Sequence, residues 1–217
     1  MERAEATLRI VRCLCARMMD PDSMTGGGRQ STFRLARMLT AWGAVPPEMA
    51  EATTAEIAAA ALHDKNHVGS ASAIASAARR AAGVIRERLS PDAWHLLRSL
   101  DASLTQDDVK QMPEAEAFDT ADEALRVIAA LSGLFQENTN RVAGWRFLDM
   151  GRRVERAINT CRFARTFADK DATAENLDVL LDLIDSQITY RSRYLVGVAL
   201  APVRDMVLLD TFNPRSV

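Results

Sequence analysis

Apolar residues recur three and four positions apart in one segment after another, and no stretch alternates apolar with polar residues. Side chains repeat every 3.6 residues on a helix and every two on a strand, so this pattern calls for helices and leaves little material for a sheet. Aromatics make up only 6% of the chain and alanine is abundant. That balance favours closely packed helices over sheets, which want β-branched and aromatic side chains. The 217 residues suffice to bury a substantial core. The pattern implies an all-α protein, an antiparallel helical bundle with short loops between neighbours.

Punctuation along the chain sets the expected segments. A first helix runs from about Arg3 to Met19, with Leu8, Val11, Leu14 or Cys15 and Met18 at helical spacing, and Asp20-Pro21-Asp22 stops it. Ser23 to Arg29, with its three glycines, reads as a loop, and Ser31 or Thr32 opens a helix burying Phe33, Leu35, Ala36, Leu39 and Trp42. Thr53 or Thr54 caps an alanine-rich helix to Leu62, followed by a loop from His63 to Gly69. Ser70 or Ser72 opens a helix to about Leu89, and Ser90-Pro91-Asp92 starts the next one. Thr105 with Asp108 resembles a capping box, and Asp119 or Thr120 leads into a helix through Phe135. After Asn138-Thr139-Asn140 a long helix reaches about Phe167. Beyond the turn at Asp169-Lys170-Asp171 a single helix is expected from Thr173 to Leu195, with Leu177, Leu180, Leu181, Ile184 and Ile188 as its apolar stripe. Pro202 opens a short terminal helix.

Residues 1–12 align without a gap on residues 154–165: Glu2, Arg3, Ala4, Thr7, Arg9 and Arg12 match Glu155, Arg156, Ala157, Thr160, Arg162 and Arg165. Two readings stand: chance agreement between Arg- and Ala-rich helices, or an internal two-fold helical repeat. The repeat requires equivalent surroundings for Glu2 and Glu155.

The 27 basic residues stand against 29 acidic ones, a formal net charge of −2, and nearly all the cations are arginines. Without a basic excess, nucleic-acid binding is not expected. Three cysteines are too few and too poorly spaced for a disulfide framework or a zinc site. No apolar run approaches a membrane span, and a cytoplasmic location is the expectation.

One polar constellation could carry chemistry. Arg152, Glu155, Arg156 and Asn159 share a helix face at three- and four-residue spacings. On the next helix Asp178, Asp182, Asp185, Thr189 and Ser192 form a second polar strip, and Tyr190 and Tyr194 are flanked by Arg191 and Arg193. If the two helices are antiparallel neighbours, the acids of one meet the arginines of the other. Three readings of Arg152, Glu155, Arg156, Asp182, Asp185, Tyr190, Arg191 and Arg193 are open: a solvated surface, partly buried structural pairing, or a pocket for a carboxylate or phosphate. His63, His67 and His95 read as surface or cap residues, and the Asp64/His67 and Asp92/His95 pairs lack the companion glutamates of a di-metal bundle. No catalytic triad spacing, metal site or cofactor motif is present.

The segment Gly144-Trp145-Arg146-Phe147-Leu148-Asp149-Met150-Gly151-Arg152-Arg153-Val154-Glu155-Arg156-Ala157 resembles the signature of the bacterial alpha-E domain proteins, a family of unknown function. Blocks at 186–194 and 213–217 are similar to two further family blocks in the same order, and residues 86–94 are similar to a fourth. The resemblance implies one all-helical alpha-E-like domain over 1–217, incomplete at both ends relative to the family. Such proteins are typically encoded beside an ATP-grasp protein and often a transglutaminase-like protein. The implied role is a non-catalytic helical partner in a peptide-forming or peptide-modifying system. The alternative is an enzyme or small-ligand binder using the Arg/Glu/Asp/Tyr cluster. No catalytic residue carries over from the family. Val142 and Ala143 replace residues that are commonly polar just before Gly-Trp.

Overall fold

The computed structural model describes residues 1–21, 27–194 and 197–217. Ten α-helices and no strand occur among the described residues: α1 (Glu2–Met19), α2 (Gly27–Ala41), α3 (Thr54–His63), α4 (Ala71–Val84), α5 (Pro91–Leu104), α6 (Glu114–Asn138), α7 (Ala143–Phe167), α8 (Ala174–Leu183), α9 (Gln187–Arg193) and α10 (Leu200–Leu208). The all-helical bundle expected from the periodicity is what the chain forms.

The caps lie where short polar side chains can take up orphan amides. The Thr53 hydroxyl accepts from the Glu56 amide at 3.3 Å while the Glu56 carboxylate accepts from the Thr53 amide at 2.8 Å, a complete capping box. Ser70, Ser90 and Thr173 cap α4, α5 and α8 with the one-sided half of that arrangement, each hydroxyl accepting from the amide three residues on.

Helix α1 is the axis of the bundle. From Ala4 to Cys15 it is buried on nearly every side, and it packs against α2, α3, α4, α6, α7 and α8. Its small residues Ala4 and Ala6 allow close approach, while Leu8, Ile10, Val11 and Leu14 fill the core. One contact fixes its height. The Thr7 hydroxyl donates to the Gly69 carbonyl at 2.9 Å, and Gly69 lies so close to Gly43 that an added Cβ would come within 2.2 Å of the Trp42 carbonyl oxygen. No other residue suits that crossing.

Several expectations need correction. The glycine run is not all loop: 23–26 lie outside the described residues, and Gly27, Gly28 and Arg29 form the first turn of α2. Ser31 and Thr32 sit inside that helix and donate back to the Gly28 carbonyl. Phe33 is exposed beneath the Arg37 guanidinium, and Met38 takes the core position instead. Helix α4 ends at Val84, where the Ile85 amide bonds the Ala82 carbonyl and a 3-10 turn follows at Arg86–Arg88. No helix starts at Thr105, which is the C-cap of α5; α6 begins at Glu114, earlier than expected.

The expected single helix from Thr173 is two. Asp185 adopts φ +56°, in the left-handed region that short polar residues tolerate, and α8 ends there before α9 begins. Leu177, Leu180, Leu181 and Ile184 are buried as expected, but the break turns Ile188 out to solvent. Leu195, the expected end of that helix, lies outside the described residues.

Candidate functional site

Helix α1 carries Glu2, Glu5, Arg9 and Arg12 at three- and four-residue spacing, so the four share one face despite their charge. Each meets a partner from a distant part of the chain. Glu2 is held most tightly. Arg156 on α7 donates to its two carboxylate oxygens at 3.1 and 2.8 Å, a bidentate pairing, and Arg152 donates at 3.3 Å. Asn159 donates to the Glu2 carbonyl at 3.3 Å. The Glu2 carboxylate also lies in the first turn of α1, where the helix dipole favours an anion.

Glu5 receives Arg9 from one turn along α1 and Arg215 from the C-terminal block, the latter at 2.7 Å. Burial alone would raise its carboxyl; the charges of Arg215 and Arg9 outweigh that and hold it below the ordinary glutamate range. Burial likewise works against the Arg156 cation, but the hydrogen bonds and charge of Glu2 hold its pKa above the usual value. Both groups are therefore fixed in their charged forms, unsuited to proton transfer near neutral pH.

The expected constellation assembles through an intermediary. Arginines of α7 do not meet the aspartates of α8 across a shared interface, because α1 offers charged residues to both. Arg152 and Arg156 pair with Glu2, as above. Asp182 faces Arg12 at 3.9 Å, and Asp185 faces Arg9 at 3.3 Å and Arg215 at 3.8 Å. Glu155 pairs with Arg3 at 3.0 Å. The remaining three residues lie elsewhere. Tyr190 is buried with its ring against Tyr194, its hydroxyl accepting from the Ala199 amide at 3.2 Å. Arg193 binds Asp210, and Arg191 points to solvent.

Glu2, Glu5, Arg9, Arg12 and Arg215 were absent from the expected cluster. Their spacing on α1 was the available signal, but a charged stripe reads as a solvated face until the helix is known to be central. The Glu-Arg pairs of the two aligned segments do meet crosswise, Glu2 with Arg156 and Glu155 with Arg3. Their surroundings are not equivalent. The Glu2 side chain is 6% exposed and that of Glu155 34%.

The charged cluster borders a partly open hollow of about 30 Å3, with Glu2, Glu5, Arg9, Arg156, Asn159 and Arg215 among its walls. That is room for a water molecule. A larger groove of about 460 Å3 lies beside it between α7 and the C-terminal block, with Arg153, Arg156, Asp210 and Asn213 among its walls. Among the described residues no cluster of three or more His, Cys, Asp or Glu could hold a metal ion, and no helix is long and apolar enough to cross a membrane. Burial pushes the Cys13 and Cys15 thiols up to about 12, which removes them as nucleophiles. His63, expected at the surface, is in the core: its Nδ1 bonds the Leu104 carbonyl at 2.8 Å, and burial lowers its pKa. His67 does lie against Asp64, at 3.4 Å, and His95 is exposed.

Two of the segments similar to alpha-E blocks, the middle of α7 and the C-terminal block, thus meet the first turns of α1. Arg156 of α7 holds Glu2 and Arg215 of the C-terminal block holds Glu5, while Asn213 ties that block to Ser186, just before α9, at 3.4 Å and to the Met206 carbonyl at 3.2 Å. Comparison with known proteins agrees. The Alpha-E family, described as a predicted alpha-helical domain with a conserved ER motif, matches residues 1–217. Uncharacterized proteins of Mycobacterium bovis and of two strains of Mycobacterium tuberculosis are each 29% identical over 145 residues, covering 63% of this chain. The matched part spans only 16% of each relative. No solved structure matches. The chain belongs to the Alpha-E family.

Proposed function

We propose that this Alpha-E protein is a non-catalytic helical partner of an ATP-grasp peptide ligase in a bacterial peptide-modification system, with residues 1–217 acting as one domain. The observation that carries the non-catalytic half of this reading is the matched charge of the cluster. Every acid and base around Glu2 and Glu5 is held by an opposite charge, and the hollow they border has room for little more than water, about 30 Å3. The cluster then serves as a lock that fixes α1 against α7, α8 and the C-terminal block. Bidentate guanidinium–carboxylate pairs suit that task because they fix direction as well as distance.

The ligase half rests on what the family resemblance implies about neighbouring genes. In the mycobacterial relatives the matched segment occupies a small part of a far longer chain, an arrangement that suits an accessory region. Co-expression with the ATP-grasp protein of the same genome should yield a complex that survives size-exclusion chromatography. Separate elution of the two would refute the partnership, and turnover by the purified chain alone would refute the non-catalytic assignment.

One observation favours a second reading, a site for a small anion. Arg156 borders both the small hollow beside Glu2 and the groove of about 460 Å3 against the C-terminal block, so its guanidinium lines two solvent-accessible spaces. Arg156→Ala separates the two. A folded variant that no longer binds phosphate or a small carboxylate supports the site, and a variant that unfolds supports the lock.

A further inference from the structure

Arg153 and Arg156 both line the groove of about 460 Å3 between α7 and the C-terminal block, and neither guanidinium is used up. Arg156 gives Nε and Nη2 to Glu2, and Arg153 gives Nε to Asp149 at 2.8 Å. Nη1 of Arg156 and both terminal nitrogens of Arg153 have no acceptor among the described residues. The acid in the wall is already committed: Asp210 accepts from the Phe212 amide at 2.9 Å and pairs with Arg193. Asn213 gives its amide nitrogen to Ser186 and to the Met206 carbonyl, and its oxygen accepts from the Arg215 amide. The groove therefore has donors and positive charge to spare.

The side-chain charges around it give the same sign. Three carboxylates stand beside four guanidinium groups: Glu2 alone serves Arg152 and Arg156, Asp149 serves Arg153, and Asp210 serves Arg193. One further negative charge completes the set, and a dianion oversupplies it. The rest of the wall is apolar, with Val154 and Ala157 on α7 and Pro214 and Val217 in the C-terminal block. A groove of this size, with a few polar donors set in apolar walls, has the make-up of a site for a small organic molecule.

We propose that the groove binds a monocarboxylate borne on an apolar body. Arg153 offers the planar fork from which two carboxylate oxygens accept side by side, and Arg156 adds a further N–H. The body lies on Val154, Ala157 and Pro214. The site rests on the small-anion reading of Arg156 and gives that anion a chemical class. An acyl chain and the C-terminal end of a short peptide both present this chemistry. A ligand with an ammonium group beside its carboxylate finds no free acid here, since Asp210 is held by Arg193.

Amide NMR titration of the 217-residue chain tests this. N-acetyl-leucine should saturate with a Kd of about 1 mM or lower and shift the amides of Ala157 and Thr211, which line the groove. N-acetyl-leucinamide, which lacks the charge, and acetate, which lacks the body, should each bind at least about fivefold more weakly. Hexanoate separates the two sources: binding as tight as that of N-acetyl-leucine identifies an acyl carboxylate, and weaker binding a peptide end. The Arg153 side chain is 77% exposed and Val154 52%, so substitutions there should keep the helical circular dichroism. Arg153→Gln should weaken N-acetyl-leucine and acetate alike by about fivefold, whereas Val154→Ser should weaken N-acetyl-leucine alone. An amide that binds as tightly as the acid, or N-acetyl-leucine binding indifferent to Arg153→Gln, would overturn the inference. Binding of phosphate alone would overturn it and leave the small-anion reading in place; binding of no probe would remove both.

Discussion

Helices α1 and α7 share the run Glu-Arg-Ala and three further identities at the same offset, yet they occupy opposite environments. Helix α1 is buried on nearly all sides from Ala4 to Cys15, whereas α7 buries one side of its second half and presents an apolar strip to solvent. The same Glu therefore has two values. At position 2 it is enclosed by two guanidinium groups, with a 6% exposed side chain; at position 155 it faces one arginine that is itself 65% exposed. A local motif specifies which groups can pair, and tertiary placement decides what the pair is worth. Desolvation raises both the cost of leaving a charge unmatched and the strength of matching it.

That contrast can be broken most sharply at Glu2. Glu2→Ala leaves Arg152 and Arg156 without their shared anion in a part-buried site, and unfolding stability should fall by about 3–5 kcal/mol in urea titration. Arg215→Ala comes next. It removes a charged hydrogen bond to Glu5 and frees the C-terminal block, with an expected loss of about 1.5–3 kcal/mol on the same assay. Tyr190→Phe deletes a neutral acceptor for the Ala199 amide and should cost about 0.5–1.5 kcal/mol. Glu155→Ala, the counterpart of the first change, should cost at most about 1 kcal/mol. Equal losses at Glu2 and Glu155 would erase the distinction between the two helices.

Acid adds a test of the same inner cluster. Glu5 is depressed in the folded protein relative to its ordinary value of 4.5, so its contribution is fully present above that pH and is lost as the pH falls through the folded value. His63, lowered by burial from 6.5, also favours the folded state above its ordinary value and opposes it once protonation is forced. Stability should therefore decline on acidification in two ranges. Glu5→Gln should flatten the range below about pH 4.5 and leave the change near pH 6.5 intact.

Much of the fold could be read from the residues, and the reasons for the exceptions are physical. Helix existence followed from apolar spacing, and the starts at Thr54, Ala71 and Pro91 followed from Thr53, Ser70 and Ser90, whose hydroxyls have few alternatives to capping. The break at Asp185 was hidden because an unbroken periodic run surrounds it and aspartate adopts a left-handed backbone without glycine's signature. His63 was misplaced because its partner, the Leu104 carbonyl, is 41 residues away. At the candidate site, Arg152, Arg156, Asp182 and Asp185 were identified from shared helix faces, but the helix between them was not. Charge on α1 does not by itself tell that the helix is central, and only the packing of six other helices around it shows so. Arg191 and Arg193 were drawn in by proximity to Tyr190, and the start of a new helix at Gln187 places them outside the cluster.

The central claim is that guanidinium and carboxylate groups lock α1 into the interior. Double-mutant cycles measure it, with Glu2 and Arg156 in one cycle and Glu155 and Arg3 in the other, each reading urea unfolding at neutral pH. The predicted coupling is at least about 2 kcal/mol for the inner pair and below about 0.5 kcal/mol for the outer. Couplings that are equal, or both near zero, would contradict it.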